Sequence, residues 1–359
     1  MKRVVFVIND LRTGGAERVF SEDATRLAER GHDVAICLLY GSSAHEQFAK
    51  TLSPAVRSVE LHARSPFDVN AMREFRRFIR DFKPDACLST LNDANLFARA
   101  GLVGIRGVRY LRREANELSM KPWWHRVLDL LMDGRTDGVI AVSESIRGSI
   151  ARSNPWLART ISVVPNAVAL PPAAIRSMSA AVRILAVGSL TAKKDYATLI
   201  RACGLLRTTK TAFTLTVVGD GPEREALTRL AQAEAVADVI DFTGRIDHAE
   251  IGKWYAEADM FVLASRVEGS PNALLEAMAA GLAAVASDIP SVTEVLDAES
   301  GILVPPGEPQ ALAAALERLS GDQDLRARMG AHAREIIRQR FDPERRLERL
   351  EAILYGKAH

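Results

Sequence analysis

Residues 264–281 read ASRVEGSPNALLEAMAAG, and the rest of the chain is organised around this stretch. The apolar run MFVLAS at 260–265 predicts a buried strand that leads into it. Ser270 suits the N-cap of a following helix, Pro271 suits its first position, and Gly281 suits its end. The stretch therefore predicts a strand, a tight turn and a helix whose first backbone N–H groups favour an anion.

Two glutamates, Glu268 and Glu276, stand in this stretch with seven residues between them. Glu276 is the only charged residue between Glu268 and Asp288, and small residues share its predicted helix face. A solvated glutamate on an amphipathic helix is the ordinary alternative. A carboxylate in so apolar a run needs a partner, which favours a functional role.

Outward from this stretch, segments typical of buried strands and of helices alternate along the chain. The strand-like runs extend from KRVVFVI at 2–8 to GILVPP at 301–306, which predicts parallel sheets covered on both faces. Residues 167–181, AVALPPAAIRSMSAA, interrupt this alternation and are typical of a linker. The sequence thus predicts an α/β protein of two Rossmann-like doubly wound domains, 1–170 and 171–341, facing a cleft at the carboxyl ends of their strands.

Composition is typical of a globular protein, since 48% of the 359 residues are hydrophobic and 26% are charged. The three cysteines are scattered in apolar segments without metal-ligand spacing, which favours a reducing compartment. The first residues predict a strand rather than a signal peptide, and no run of about 18 apolar residues predicts a membrane span. We therefore expect a cytoplasmic protein.

Charge is unevenly distributed along the chain. Residues 1–180 contain 26 Lys and Arg against 19 Asp and Glu, a net charge of +7, and the remainder carries −5. The basic half could face anionic lipid or a phosphate-linked acceptor, or it could be an ordinary solvated surface. Trp123 and Trp124 could enter a membrane interface or pack inside the domain. Peripheral contact with the cytoplasmic face of a membrane is thus one expectation.

Two adjacent glycines, Gly14 and Gly15, lie where the first strand turns into the first helix. Glycines there let backbone approach a ligand next to a helix N-terminus, although a plain tight turn is the alternative. A dinucleotide site requires G-x-G-x-x-G and an acidic residue after the second strand. The second predicted strand ends in LLYGSS instead, which argues against NAD.

The pattern R-x-E-G-x-P-N-x-L-L-E-A-M-A-x-G, from Arg266 to Gly281, resembles the E-x7-E signature of glycosyltransferase family 4. GGAER at 14–18, GSLTAKK at 188–194 and VGDGPER at 218–224 extend the resemblance over most of the chain. It implies a retaining, metal-independent sugar transferase of the GT-B fold. It also implies an acceptor-binding first domain, a donor-binding second domain, and a C-terminal helix, 342–359, that crosses back onto the first domain.

The resemblance implies a site for a nucleotide-diphosphate sugar, taken here as a UDP-sugar, with no cofactor and no metal. Glu276 would bind the ribose hydroxyls and Glu268 the donor sugar, while Lys194 would neutralise the diphosphate. Glu268 and Lys194 are the predicted catalytic residues. The predicted donor-binding residues are Gly15, Ser189, Lys194, Gly219, Gly244, Arg245, Glu268, Gly269, Ser270, Pro271, Asn272 and Glu276.

The sequence departs from the family pattern at two places. Ser189 stands where the family has an arginine, whose charge could come from Lys193, Arg245 or Arg266. Many relatives also carry a histidine after the corresponding strand of the first domain, and none is present here. The residues predicted to position the sugar or acceptor instead are Arg113, Glu114, Asn116 and Asn166.

These features predict transfer of a sugar to a hydroxyl of a glycan or lipid-linked acceptor, in the synthesis of a cell-envelope polysaccharide. No nucleic-acid partner is expected. A nucleotide-sugar epimerase or a sugar phosphorylase of the same fold stays an alternative. A non-enzymatic, two-domain sugar-binding protein would need export, and the absence of a predicted signal peptide disfavours it.

Overall fold

A computed structural model describes residues 1–11, 14–41, 52–115, 121–173, 180–209 and 211–356, apart from the side chains of residues 248 and 249. The chain forms two compact units, Met1–Asn166 with Glu344–His359 and Ala167–Pro343. The division falls a few residues before the predicted boundary between 170 and 171. Each unit is built on a parallel sheet with helices packed against it.

The sheet of the first unit has seven described strands in the order β3-β2-β1-β4-β5-β6-β7. In chain order they are β1 (Arg3–Ile8), β2 (Asp33–Leu38), β3 (Val56–Glu60), β4 (Ala86–Thr90), β5 (Arg109–Glu114), β6 (Gly138–Ala141) and β7 (Ile161–Val163). The central strand β1 pairs in parallel with β2 and β4, with Val5 opposite both Ala35 and Cys87. Its apolar run is buried on both faces, as a central parallel strand requires.

Five helices lie between these strands in the described part of the first unit. They are α1 (Gly15–Glu29), α2 (Val69–Phe82), α3 (Asn92–Gly101), α4 (Trp123–Met132) and α5 (Glu144–Ser153). Helix α2 is a typical amphipathic helix. Asp68 caps its start, and its apolar residues at helical spacing, Phe75, Ile79 and Phe82, are buried. Helix α4 does not follow this pattern, because it buries His125 and Asp129.

The sheet of the second unit has the order β10-β9-β8-β11-β12-β13 among the described residues. Its strands are β8 (Val182–Val187), β9 (Phe213–Val218), β10 (Ile240–Gly244), β11 (Met260–Leu263), β12 (Ala283–Ser287) and β13 (Gly301–Val304). All of the pairings are parallel, and apolar residues are buried on both sides of the sheet. This is the second doubly wound sheet that the sequence predicted.

The helices of the second unit are α6 (Tyr196–Thr208), α7 (Arg224–Ala233), α8 (His248–Glu257), α9 (Asn272–Ala279), α10 (Pro290–Thr293), α11 (Pro309–Gly321) and α12 (Gln323–Arg340). The expected start of α9 was wrong by one residue. Pro271 precedes the helix instead of opening it, and Ser270 does not cap it. The backbone N–H of Asn272 bonds to the carbonyl of Ser270 in a local turn, which delays the first helical residue. Gly281 follows the helix with φ +74°, as expected of a helix stop.

The last helix, α13 (Pro343–Tyr355), packs on the first unit. Leu347, Leu350 and Leu354 enter the same core as Phe20 and Leu27 of α1. The guanidinium of Arg346 also forms an ion pair with Asp23 of α1. The crossing back of the C-terminal helix is therefore confirmed. None of the described helices is both long enough and apolar enough to cross a membrane.

Candidate functional site

In the second unit, the order of the strands reverses between β8 and β11. Strands β9 and β10 lie beyond β8, whereas β12 and β13 lie beyond β11. Parallel α/β sheets bind ligands outside the carboxyl ends of their strands at such a reversal. The loop after β8 carries Ser189 and Lys194, and the loop after β11 carries Glu268. Both predicted catalytic residues therefore lie at the reversal point of one sheet.

Lys194 and Glu268 are brought into direct contact. The Nζ atom of Lys194 forms an ion pair with Oε1 of Glu268, and Oγ of Ser265 donates to the same oxygen at 2.7 Å. The lysine side chain is 15% exposed and the glutamate side chain 8%. The backbone N–H of Arg266 donates to the carbonyl of Lys193 at 2.8 Å, which ties the two loops together. The pair is thus held at the edge of the unit, where a ligand can reach the ammonium group.

The three cations that could replace the arginine missing at position 189 differ in their contacts. The Nε atom of Arg266 lies 2.8 Å from Oδ2 of Asp195, a buried residue that also caps α6. Within the described ranges, neither Lys193 nor Arg245 forms an ion pair, and Arg245 is exposed. Among the described carboxylates, none pairs with Lys193 or Arg245, whereas Asp195 pairs with Arg266.

Glu276 lies in the middle of α9 and is half-buried. The hydroxyl of Tyr255 donates to its Oε2 at 2.9 Å and lies 3.3 Å from the carbonyl oxygen of Ala273. Tyr255 belongs to α8 and is buried, so its hydroxyl fixes the direction of the carboxylate. Sequence analysis missed Tyr255 because no local spacing joins residues on two different helices. The one available signal was that Glu276 needed a partner.

The start of α9 presents backbone donors beside this carboxylate. Pro271 provides no side-chain cap, and Gly269, Ser270 and Asn272 are partly exposed. Helix N-termini without a side-chain cap bind anions through their backbone N–H groups and the helix dipole. The loop from Gly269 to Asn272 therefore suits a phosphate or a polar sugar.

The glycines at the carboxyl ends of β8, β9 and β10 allow three loops to pack together. Gly188, Gly219 and Gly244 all have positive φ, of +157°, +142° and +76°. The N–H of Gly188 donates to Val218, and the N–H of Gly219 donates to Gly244, each at 2.9 Å. A Cβ atom on Gly219 would collide with the carbonyl oxygen of Gly188. Close contact between the two backbones thus explains why residue 219 is a glycine. The three loops lie together next to Ser189.

In the first unit, α1 begins at Gly15, directly after the extended residue Gly14. The carboxylate of Glu17 folds over Gly14, where a Cβ atom would overlap it. An acidic group therefore lies at this helix start, which disfavours a second anion there. Residues 12 and 13 of the predicted glycine motif lie outside the described residues.

The residues predicted to position the sugar or acceptor have different environments. Arg113 donates from Nη2 to Oδ1 of Asn166 at 2.5 Å, and its Nε and Nη1 atoms are buried without a partner among the described residues. Burial, followed by the nearby charge of Arg346, lowers the pKa of Arg113 to about 10. Arg113 and Asn166 thus form one polar pair. Asn116 lies outside the described residues.

Glu114 belongs to a buried charge cluster, whose charged members are Arg99, Arg112, Glu114, Lys121, Asp129 and Asp133. Its Oε1 atom lies 2.7 Å from Arg112 and 2.8 Å from Lys121. Burial opposes ionisation of Asp129, but Lys121, Arg112 and Arg99 outweigh it and hold the pKa of Asp129 well below its usual range. This placement makes Glu114 part of the packing of the first unit and disfavours a role in contacting an acceptor.

Comparison with known sequences decides the family. The sequence model described as Glycosyltransferase Family 4 matches residues 13–170, and the one described as Glycosyl transferases group 1 matches residues 177–336. The chain belongs to glycosyltransferase family 4.

Relatives of this family 4 chain include glycosyltransferases described by amylovoran biosynthesis and by lipopolysaccharide core biosynthesis. The amylovoran biosynthesis glycosyltransferase AmsK of Erwinia amylovora is 39% identical over 152 residues, which cover 40% of this chain and 37% of AmsK. The lipopolysaccharide core biosynthesis glycosyltransferase LpsD of Rhizobium meliloti is 28% identical over 338 residues, 91% of each chain. The chain spans 37% to 44% of the length of several curated relatives that it matches.

Solved structures confirm the GT-B fold of the family 4 chain. HepE of Anabaena, in complex with UDP and glucose, superposes with a TM-score of 0.85 at 16% identity, covering 99% of this chain and 100% of HepE. Sucrose-phosphate synthase of Thermosynechococcus elongatus gives 0.82 at 19% identity, with 98% of each chain covered. Among the described residues, no group of three or more His, Cys, Asp or Glu could hold a metal ion. Independence of metals and cofactors stays a prediction.

Proposed function

We propose that this family 4 protein transfers a sugar from a UDP-sugar to a hydroxyl of a glycan or lipid-linked acceptor, with retention of anomeric configuration. The observation that carries the proposal is the contact between Lys194 and Glu268 at the reversal point of the second sheet. It places a cation and a carboxylate where α/β sheets bind nucleotides.

In this proposal, the diphosphate of the donor binds beside Lys194 and the start of α9. When the bond between the anomeric carbon and the phosphate oxygen breaks, the leaving diphosphate takes the electron pair and gains negative charge. The ammonium of Lys194 and the N–H groups near Ser270 stabilise that charge more than they stabilise the intact donor. The acceptor hydroxyl then bonds to the anomeric carbon on the same face, and its proton goes to the departing phosphate.

The two glutamates of the E-x7-E pattern hold the uncharged parts of the donor. Glu276 accepts hydrogen bonds from the ribose hydroxyls, with its carboxylate aimed by Tyr255. Glu268 binds hydroxyls of the sugar while Ser265 and Lys194 orient it. Because these contacts orient the anomeric carbon, their main effect is on the position of the reacting bond.

The relatives support the choice of donor and product. HepE is described in complex with UDP and glucose, and also with UDP-glucose. AmsK and LpsD are described by amylovoran and by lipopolysaccharide core biosynthesis. We therefore assign the product to a polysaccharide or lipid-linked glycan of a cell envelope.

The test begins with thermal-shift screening of nucleotide sugars, followed by an assay of nucleotide release with and without glycan acceptors. We expect UDP release that depends on an acceptor, and an NMR spectrum of the product that shows the donor's anomeric configuration. Glu276→Gln should lower the rate strongly, whereas Glu257→Gln, an exposed glutamate on α8, should not.

Three results would contradict the proposal. Conversion of the donor without an acceptor would indicate an epimerase, and a requirement for inorganic phosphate would indicate a phosphorylase. Tight sugar binding without any turnover across the donor panel would indicate a binding protein.

A further inference from the structure

Helix α4 turns its large apolar side chains away from the protein. Five of them are exposed: Trp123, Trp124, Val127, Leu130 and Leu131. Four of these recur at i, i+4, i+7 and i+8, the spacing that normally faces a core. Trp123 and Leu131 each keep 76% of their surface accessible. The face of the helix that is buried carries His125 and Asp129 instead.

The buried charge cluster explains how α4 is held in this orientation. Asp129 forms an ion pair with Arg99, and it lies 2.9 Å from Lys121 and 3.3 Å from Arg112. Directly after the helix, Asp133 lies 2.7 Å from Arg99. Charges rather than apolar contacts anchor the inner face of α4. Its outer apolar face is therefore not needed for the core.

A third tryptophan follows a segment that lines a pocket together with this helix. Arg126 and Leu130 line a small pocket together with Ser153 and Asn154. Trp156 follows two residues after Asn154 and is 60% exposed. The five exposed apolar side chains of α4, together with Trp156, make up what we call the tryptophan surface. Exposed apolar residues grouped on one helix face in this way mark a surface that meets a partner.

The exposed charges of the segments that carry the tryptophan surface are mostly basic. Between residues 121 and 160 the exposed basic residues outnumber the exposed acidic ones by five to two: Arg126, Arg135, Arg147, Arg152 and Arg159 against Asp137 and Glu144. The segment 145–160 contains no acidic residue and includes the exposed Arg152 and Arg159. Tryptophan is enriched at membrane interfaces, and arginine is attracted to acidic headgroups. This combination matches an anionic lipid surface.

The geometry points to peripheral binding of the tryptophan surface to a bilayer that contains acidic phospholipid. Trp123 and Leu131 enter the boundary between headgroups and acyl chains, and Arg126 stays level with the phosphates. A second copy of the chain fits this surface less well, because a symmetric contact would bring like charges together. The residues belong to the first unit, so the inference does not depend on the proposed donor site.

Binding is tested with the full chain and vesicles of phosphatidylcholine, with and without phosphatidylglycerol. We expect cosedimentation with the anionic vesicles, a blue shift of tryptophan emission, and weaker binding at high salt. The double variant Trp123→Ser with Leu131→Ser should lower the partition coefficient by at least about tenfold. Arg126→Gln should lower it by about fivefold and reduce its salt dependence.

Phe67→Ser is the matched control, because Phe67 is an exposed aromatic residue of the same unit outside the tryptophan surface. It should bind vesicles as the native chain does, and circular dichroism should show that every variant keeps its fold. Native binding by the double variant would overturn the inference, as would equal binding to neutral and anionic vesicles. A native dimer that the double variant dissolves, without any vesicle binding, would assign the surface to self-association instead.

Discussion

Both units hold charged side chains close to the ends of their strands, but the two groups differ in burial and in number of partners. In the first unit, the charges of the buried cluster face two or three opposite charges each, and the cluster is almost fully enclosed. In the second unit, Lys194 and Glu268 pair with each other at a partly exposed edge. We infer that charges balanced from several sides hold the fold, whereas a single ion pair at a strand reversal leaves its cation within reach of a ligand.

The largest effect is expected from breaking the buried charge cluster. Asp129→Ala leaves Arg99, Arg112 and Lys121 partly uncompensated, and removing one partner of a buried ion pair costs about 3–5 kcal/mol. The free energy of unfolding, measured in urea, should fall by that amount. The rate of sugar transfer per folded molecule should stay near the native value. A loss of less than about 1 kcal/mol, the range of an exposed pair, would show that the cluster does not hold the fold.

Next in size is the effect of removing the cation at the strand reversal. Lys194→Ala should lower kcat on the order of 10²–10³, since it removes charge stabilisation of the leaving diphosphate. Lys253→Ala, an exposed lysine on α8 of the same unit, is the control and should leave kcat unchanged. The melting temperature of Lys253→Ala should stay close to native, whereas that of Lys194→Ala should fall, because the buried Glu268 loses its charged partner. Equal kcat values in the two variants would contradict a role of Lys194 in the donor site.

A smaller effect is expected from the residue that sequence analysis missed. Tyr255→Phe removes the hydroxyl that donates to Glu276 and leaves the ring in place. We expect kcat/KM for the donor to fall about tenfold, mainly through KM, because a hydrogen bond to a charged group is lost. Initial rates over a range of donor concentrations measure this. A fall in kcat with an unchanged KM would contradict a role in holding the donor.

The smallest effects are expected from substitutions of the three cations near Ser189. Lys193→Ala or Arg245→Ala should lower kcat/KM by about fivefold, as expected for one unpaired charge near solvent. Arg266→Ala should change it less, because Arg266 already pairs with Asp195. Rates measured at low and high salt check the assignment, since only a charge that meets the donor should lose its effect at high salt. A larger loss of kcat/KM from Arg266→Ala than from the other two substitutions would contradict this ranking.

Regular features of the molecule could be predicted from the sequence. Apolar runs alternating with amphipathic segments have local causes, so the two doubly wound sheets followed from the pattern of residues. The start of α9 was misplaced because Ser270 is bound in a turn with Asn272, a detail that residue preferences do not reveal. The E-x7-E spacing identified the two glutamates but not the partner of either.

Side-chain contacts between distant residues could not be predicted, although the return of the C-terminal helix to the first unit was predicted. Tyr255 meets Glu276 only because α8 and α9 pack together, and Glu114 is enclosed because Arg112 and Lys121 converge on it. The exposure of Trp123 was one of two open alternatives, since its helix buries its charged face, against the usual rule. Such outcomes depend on tertiary packing, which overrides local pattern.

The most direct test of the account is a calorimetric titration of UDP into the native chain, Lys194→Ala and Glu276→Gln. The account predicts that UDP binds the native chain and that each variant binds it at least about tenfold more weakly, a difference of about 1.4 kcal/mol. Equal UDP affinity in all three proteins would contradict a donor site at the strand reversal of the second unit.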